Sequence, residues 1–250
     1  MAHLLKIAVC NASGLCQHAQ EIKLFLQTLH LDILLVSETH FTERSNMKIP
    51  NYNIYHTIHP DETAHGGTAI IIRRNLKHHV RAEYKQVNIQ ATSISLEDNI
   101  GETTVSAIYY PPKHNNNYED YDRFFKTLGN RFIAGGDFNA KHTFWGSRFI
   151  NTKGRELFKV IQNNNLKHLS TRQPTYWPSD PNKTSDLLDF CVTKGIDTYK
   201  LAVASCLDIT SDHTPILITG FTHALGNPKK PSLYRKKLTG IALEKLSTNN

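Results

Sequence analysis

The chain has 250 residues, 39% of them hydrophobic and 20% charged, with a net charge of +7. That is ample for a sizeable core and excludes a disordered, charge-dominated chain. No apolar run reaches about 18 residues, so neither a membrane span nor a membrane partner is expected, and the start lacks the basic and long apolar regions of a signal peptide.

The elements then read in chain order. LLKIAVC (4–10) is a strand, and residues 20–29 carry apolar side chains at helical spacing. Strands follow at 31–37, 52–57 and 67–73, with a polar loop at 58–66. Residues 88–96 and 102–110 flank EDNIG, a hairpin signal. Residues 118–128 form a helix, 131–136 a strand and 152–164 a helix; strands at 187–192 and 215–219 close the set. Consecutive hairpin-like strands mixed with a few helices predict two packed mixed β-sheets flanked by helices, an α/β sandwich of four layers. The expected domain runs over 1–222. Residues 223–250 read as a basic linker or tail: 228–250 alone carry +5 of the net charge, with Glu244 the single acid. A polyanionic partner is therefore suggested mainly by the tail.

Four cysteines, Cys10, Cys16, Cys191 and Cys206, form no C-x-x-C pair, so reduced thiols are expected. A zinc site is not expected either, because His56/His59 and His78/His79 fit no zinc spacing.

Polar residues recur at the mouths of core strands. Asn11 follows IAVC, Glu38 follows DILLVS, and Tyr109 and Tyr110 end ETTVSAI. Asp137 and Asn139 follow IAGG, Asp189 lies in SDLLDF, and Asp212 and His213 precede ILIT. One such place is a turn; six on strands that converge describe a site. An Asp can orient a water, an Asn amide can donate to an oxyanion, and Glu38 with phosphate oxygens suits a hard cation such as Mg²⁺. Asp189, 24 residues before His213, can fix that imidazole's tautomer and raise its pKa. Singly, each has a plainer reading: G-D-x-N is good turn chemistry, and Asp–His pairs can be structural.

Taken in order, CNASGL (10–15), VSETH (36–40), GGTAIII (66–72), AIYYPP (107–112), GGDFNAKHTFWGS (135–147), SDLLDF (185–190) and SDHTPI (211–216) resemble the exonuclease–endonuclease–phosphatase superfamily. Within it they are similar to the apurinic-endonuclease-like domains of non-LTR retrotransposons, jockey-like ones especially. The resemblance covers about residues 1–220. It implies a DNase I-like four-layer sandwich and a Mg²⁺-dependent endonuclease, with Mn²⁺ a possible substitute. Such an enzyme nicks double-stranded DNA in the nucleus and leaves a 3′-hydroxyl that primes reverse transcription. A reverse transcriptase would follow in the same polyprotein.

By motif, the resemblance assigns Glu38 as the main metal ligand, with Asn11 and Asp212 beside it. Asp137 would orient or deprotonate water, Asn139 would hold Asp137 and the phosphate, and Tyr109 would contact the phosphate or leaving group. Asp189 would orient His213, which would bind the scissile phosphate. Two residues depart from the pattern. Ser13 replaces a common Asn or Asp, and Pro112 stands where cellular apurinic endonucleases have Asn. No equivalent of the residues that lodge an abasic sugar is visible, which argues against abasic-site repair. For DNA contact the candidates are Arg73 with its basic run, then Lys141, Trp145 and Arg148, and Arg172, Tyr176 and Trp177 in the loop before Asp189. The other readings are a different phosphodiesterase or phosphatase of the superfamily, or an inactive DNA-binding targeting module.

Overall fold

The computed structural model describes residues 4–98, 101–206 and 209–222; the predicted basic tail and the centre of EDNIG lie outside the described residues. In chain order the elements are β1 (Leu4–Asn11), α1 (Ala19–Thr28), β2 (Ile33–Ser37), β3 (Tyr52–Thr57), β4 (Thr68–Arg73), β5 (His78–Val80), β6 (Tyr84–Lys85), β7 (Gln90–Asp98) and β8 (Gly101–Tyr109). Then come α2 (Tyr118–Thr127), β9 (Phe132–Asp137), α3 (Thr152–Asn163), β10 (Lys167–Leu169), β11 (Asp189–Lys194), a single 3₁₀ turn (Thr198–Lys200), β12 (Ala202–Ser205) and β13 (Ile216–Thr222).

One sheet has the order β12-β13-β1-β2-β4-β3 and the other β10-β11-β9-β8-β7-β5, with β6 also on β7. Side-chain alternation sorts the central strands into layers. Ile7, Val9, Ile33, Leu35, Ile70 and Ile72 meet Ile94, Val105, Ala107 and Ile133 between the sheets. Ala8, Leu34, Val36 and Ile71 turn the other way, onto Ile22, Phe25 and Leu26 of α1. The second sheet sends Ile108, Ala134, Phe190 and Val192 outward onto Phe124 of α2 and Leu157 and Val160 of α3. Burial on both faces explains why ILLVS and TAIII are continuously apolar. The fold is the four-layer α/β sandwich with two mixed sheets.

The sequence reading missed β5, β6, β10 and β12. They are two to four residues long at or beside sheet edges, too short for a periodicity to register. It also began the SDLLDF strand early: β11 starts at Asp189, so Asp189 stands at the strand mouth.

Among the described residues two neighbouring strand pairs are parallel, β1 with β2 and β8 with β9. Their four carboxyl ends meet at one edge of the sandwich, where the sheets are tied together. Ser37 Oγ donates to Ile108 O at 2.8 Å and accepts from Asp137 N at 3.0 Å. The approach depends on Gly135 and Gly136. A Cβ on Gly135 would lie 2.6 Å from Cys191 Sγ and 2.8 Å from Val9 Cγ2, and one on Gly136 would run into the Ile108 carbonyl. Gly135→Ala should therefore cost about 1–3 kcal/mol of overpacking, and Gly136→Ala more, because the obstacle is backbone. Gly129→Ala, with φ +84 and nothing within 4 Å, should cost only its left-handed strain, about 1 kcal/mol. Urea melts of the three variants check the ranking; Gly136→Ala as mild as Gly129→Ala would refute it.

Candidate active site

The strand register sets the chemistry before any side chain is considered. Tyr109 pairs with Asp137 across β8 and β9, and Asp137 pairs with Asp189 across β9 and β11. Three functional residues thus stand abreast on neighbouring strands and project to one side. From the other sheet, Asn11 ends β1 in register with Ser37, and Glu38 follows directly. The chain leaves β2 through left-handed backbone at Glu38 (φ +53) and His40 (φ +53). Such strain in non-glycine residues concentrates where a side chain must be aimed.

Asn11 joins the sheets electrostatically. Its Nδ2 donates to Glu38 Oε1 at 2.8 Å and to Asp137 Oδ2 at 3.1 Å, and its Oδ1 accepts from Ser13 N at 3.0 Å. It therefore bridges two carboxylates rather than presenting only a metal-binding oxygen. Asp137 is almost fully buried. It also accepts from Asn139 N at 2.8 Å and Asn139 Nδ2 at 2.9 Å. Asn139 reaches it from left-handed backbone, φ +46. Burial first, then the Asp189 charge, pushes Asp137 up to about 8, against the pull of the His213 charge.

Behind Asp137, His213 Nδ1 lies 2.6 Å from Asp189 Oδ2, with both residues buried. Burial alone would lower this histidine. The Asp189 charge and hydrogen bond outweigh it and raise His213 to about 10, so it is a fixed cation at neutral pH. For Glu38 burial acts upward, but hydrogen bonds from His40 and Asn11 and the His213 charge hold it below the usual carboxylate range. Tyr109 stays firmly protonated, through burial and the nearby charges of Glu38 and Asp137.

One open cleft of about 300 Å³ has Asn11, Glu38, Asp137, Asn139, Lys141, Tyr176, Asp212 and His213 on its walls; Tyr109 and Asp189 are not on the walls but adjoin Glu38 and His213. Lys141 Nζ pairs with Asp186 Oδ2 at 3.0 Å. The Tyr176 ring lies 4.9 Å from the His213 ring. Four predicted DNA contacts stand elsewhere. Arg73 ends β4 at the edge opposite Thr68, so its basic run is a strand length from the cleft; its Nε is 2.8 Å from Leu31 O and 3.3 Å from Asp32 Oδ1. Trp145 is fully buried, stacked on Phe190 with Nε1 donating to Ala140 O, and offers no face to a base. Arg148 and Arg172 are exposed but line no part of the cleft. Trp177, 53% exposed, is fixed beside the site by Nε1 donating to Thr214 Oγ1 at 2.8 Å and its amide to Asp212 O.

Sequence reasoning missed the residues that hold the ligands. Thr175 Oγ1 accepts from both Leu188 N and Asp189 N, and Ser211 Oγ donates to Asn11 O and accepts from His213 N. A hydroxyl two residues before His213 was the one visible signal; Thr175 gave none, because its partners lie 13 and 14 residues away.

The Endonuclease/Exonuclease/phosphatase family matches residues 8–213, a span that opens on β1 and closes on His213. The chain is 35% identical over 229 residues to the RNA-directed DNA polymerase from mobile element jockey of Drosophila melanogaster, covering 92% of this chain and 25% of that protein. The corresponding protein of Drosophila funebris is 34% identical over 227 residues, with 91% and 25% covered. The chain thus spans about a quarter of the length of the curated relatives it matches. Among solved structures, the endonuclease domain of TRAS1, a telomere-specific non-LTR retrotransposon, superposes with a TM-score of 0.70 at 20% identity, covering 86% of this chain and 97% of that one. AP endonuclease LMAP from Leishmania major gives 0.71 at 12% identity, with 87% of each chain covered. Those likenesses speak for the fold, and the matched span, which takes in all the strand mouths that build the cleft, speaks for the lineage: the chain belongs to the Endonuclease/Exonuclease/phosphatase family.

Proposed function

We propose that this chain is the endonuclease part of a retroelement polyprotein, a divalent-metal-dependent enzyme that nicks double-stranded DNA and leaves a 3′-hydroxyl. A reverse transcriptase in the same polyprotein would extend that end, in the nucleus where the target DNA lies. The observation that carries the reading is the convergence, in one cleft, of carboxylates from both sheets with a histidine held cationic by Asp189.

The donor set fits a hard cation. Glu38, Asp137 and Asp212 present carboxylate oxygens to one cleft, and buried Asp189 Oδ1 has no hydrogen-bond partner. Glu38 and Asp212 would hold Mg²⁺ or Mn²⁺, which prefer oxygen ligands and complete their shells with phosphate and water. Bound there, the ion would polarise the phosphate and draw down the pKa of water and of Asp137.

The chain's own groups do the rest. Asp137, fixed by three amide donors, orients a water in line with the P–O3′ bond and takes its proton; a base raised toward neutrality suits that task. The water oxygen bonds to phosphorus, the P–O3′ bond breaks, and the 3′-oxygen departs as an alkoxide that takes a proton from solvent to become the hydroxyl. His213 offers its Nε2–H to a non-bridging oxygen and offsets the growing charge. Tyr109 keeps its hydroxyl proton and donates at the leaving-group side. Lys141 and Tyr176 border the DNA path.

Asp137→Asn, Glu38→Ala and His213→Ala should each lower plasmid nicking by at least about 100-fold, the scale of losing one positioned catalytic group. Circular dichroism should show each variant folded. EDTA should abolish the wild-type activity, and excess Mg²⁺ should restore it. Full nicking by Asp137→Asn, or faster hydrolysis of a small phosphomonoester than of plasmid, would overturn the reading.

The pH profile tests His213 separately. Its folded pKa is raised, so its cation persists at neutral pH and is lost as pH climbs toward about 10. Asp189→Asn removes the largest raising influence and should bring the alkaline limb of nicking down toward His213's ordinary range. An unmoved limb would show that His213 does not act as a cation.

A further inference from the structure

A second cluster of ligating groups stands outside the cleft, in the 58–66 loop between β3 and β4. His59, Asp61 and His65 each present one ligand atom within 4.8 Å of the others. His59 Nδ1 is 2.7 Å from Asp61 Oδ1, and His65 Nε2 is 3.5 Å from Asp61 Oδ2. The two imidazole centroids are only 3.8 Å apart. None of the three has a part in the reaction above.

The hydrogen bonds identify which atoms carry lone pairs. Thr63 Oγ1 donates its single proton to Asp61 Oδ1 at 2.9 Å. Its 2.6 Å contact with His65 Nδ1 must then be an N–H donating into the hydroxyl. That fixes the tautomer and leaves His65 Nε2 as a lone pair facing a carboxylate oxygen. His59 Nδ1 shares a proton with Asp61 Oδ1 at 2.7 Å, a contact that a bound metal ion would replace. One imidazole lone pair, a second imidazole nitrogen and a carboxylate thus face one another within ligand range. His59 is 7% exposed, so water is a poor substitute on its side.

We infer that His59, Asp61 and His65 form a zinc-class transition-metal site, with the fourth position open to solvent. Imidazole nitrogens and a carboxylate oxygen are the borderline donors that Zn²⁺ accepts in four-coordinate sites. Thr63 supplies the outer contact that aims a metal-bound histidine. The H-x-D-x₃-H spacing differs from the histidine pairs weighed in the sequence, because the aspartate between them completes the set.

The site sits where it can matter for the cleft. A Cβ on Gly66 would lie 3.5 Å from His59 Cδ2 and 3.3 Å from Tyr109 Cε1. The carbonyls of Gly66 and Gly67 accept from His40 N and Thr39 N, in the turn that aims Glu38. A metal on this loop would therefore brace that turn from outside.

The test is titration of the full chain with Co²⁺ in excess Mg²⁺, which occupies the oxygen-rich cleft, followed by displacement with Zn²⁺. One equivalent with the intense visible bands of four-coordinate Co²⁺ is expected. His65→Ala, half-exposed and so safe for folding, should lose that equivalent; Asp61→Asn should lose it too. Thr63→Val should weaken binding about tenfold, and Asp137→Asn should retain the equivalent in full. Limited proteolysis within 58–66 should slow when Zn²⁺ is added. Absence of four-coordinate Co²⁺, survival of binding in His65→Ala, or its loss in Asp137→Asn would each overturn the inference.

Discussion

The structure depends on how closely two sheets meet at one edge. A β-sandwich normally keeps its sheets about 10 Å apart, filled by side chains. Here Gly135 and Gly136 remove the side chains of β9 just before Asp137, and the Ser37 hydroxyl spans from one sheet to the other. Asp137 of one sheet and Glu38 of the other then share a single amide donor, Asn11. Without that approach the same residues would be separate strand ends.

The approach also sets the electrostatics. Glu38, Asp137 and Asp189 crowd one low-dielectric corner, an arrangement that resists having every carboxylate ionised. The fold answers with donors: three amides on Asp137, Asn11 and His40 on Glu38, and the His213 cation against Asp189. The charge left over is what a divalent ion and a phosphate would balance together. In the proposed function, the catalytic role of Asp137 and the need for a cation would both follow from the same crowding.

Much of this was legible in the sequence. Strands with buried faces read directly, and the polar residues at their mouths include Asn11, Glu38, Asp137, Asn139, Asp212 and His213 of the cleft, because the strand mouth is where a core must give way to solvent. The limits have physical causes. Trp145 was placed among DNA contacts because it follows the Asp137 loop, but its indole N–H had a carbonyl within reach at Ala140 and its ring a stacking partner in Phe190, so the core claimed it. Arg73 looked like part of a basic track; which end of β4 faces the cleft depends on strand direction, which charge spacing does not encode. Thr175, with two amides converging on its hydroxyl, is set by tertiary contacts alone.

The chemistry of the ends made by the nick tests the account most directly. Plasmid treated with the protein and Mg²⁺ should carry nicks that a DNA polymerase extends at once, without phosphatase treatment, with the opposite terminus bearing a 5′-phosphate. Ends that extend only after removal of a 3′-phosphate would mean that the other P–O bond breaks, and the placement of Tyr109 and Asp137 about the phosphate would be contradicted.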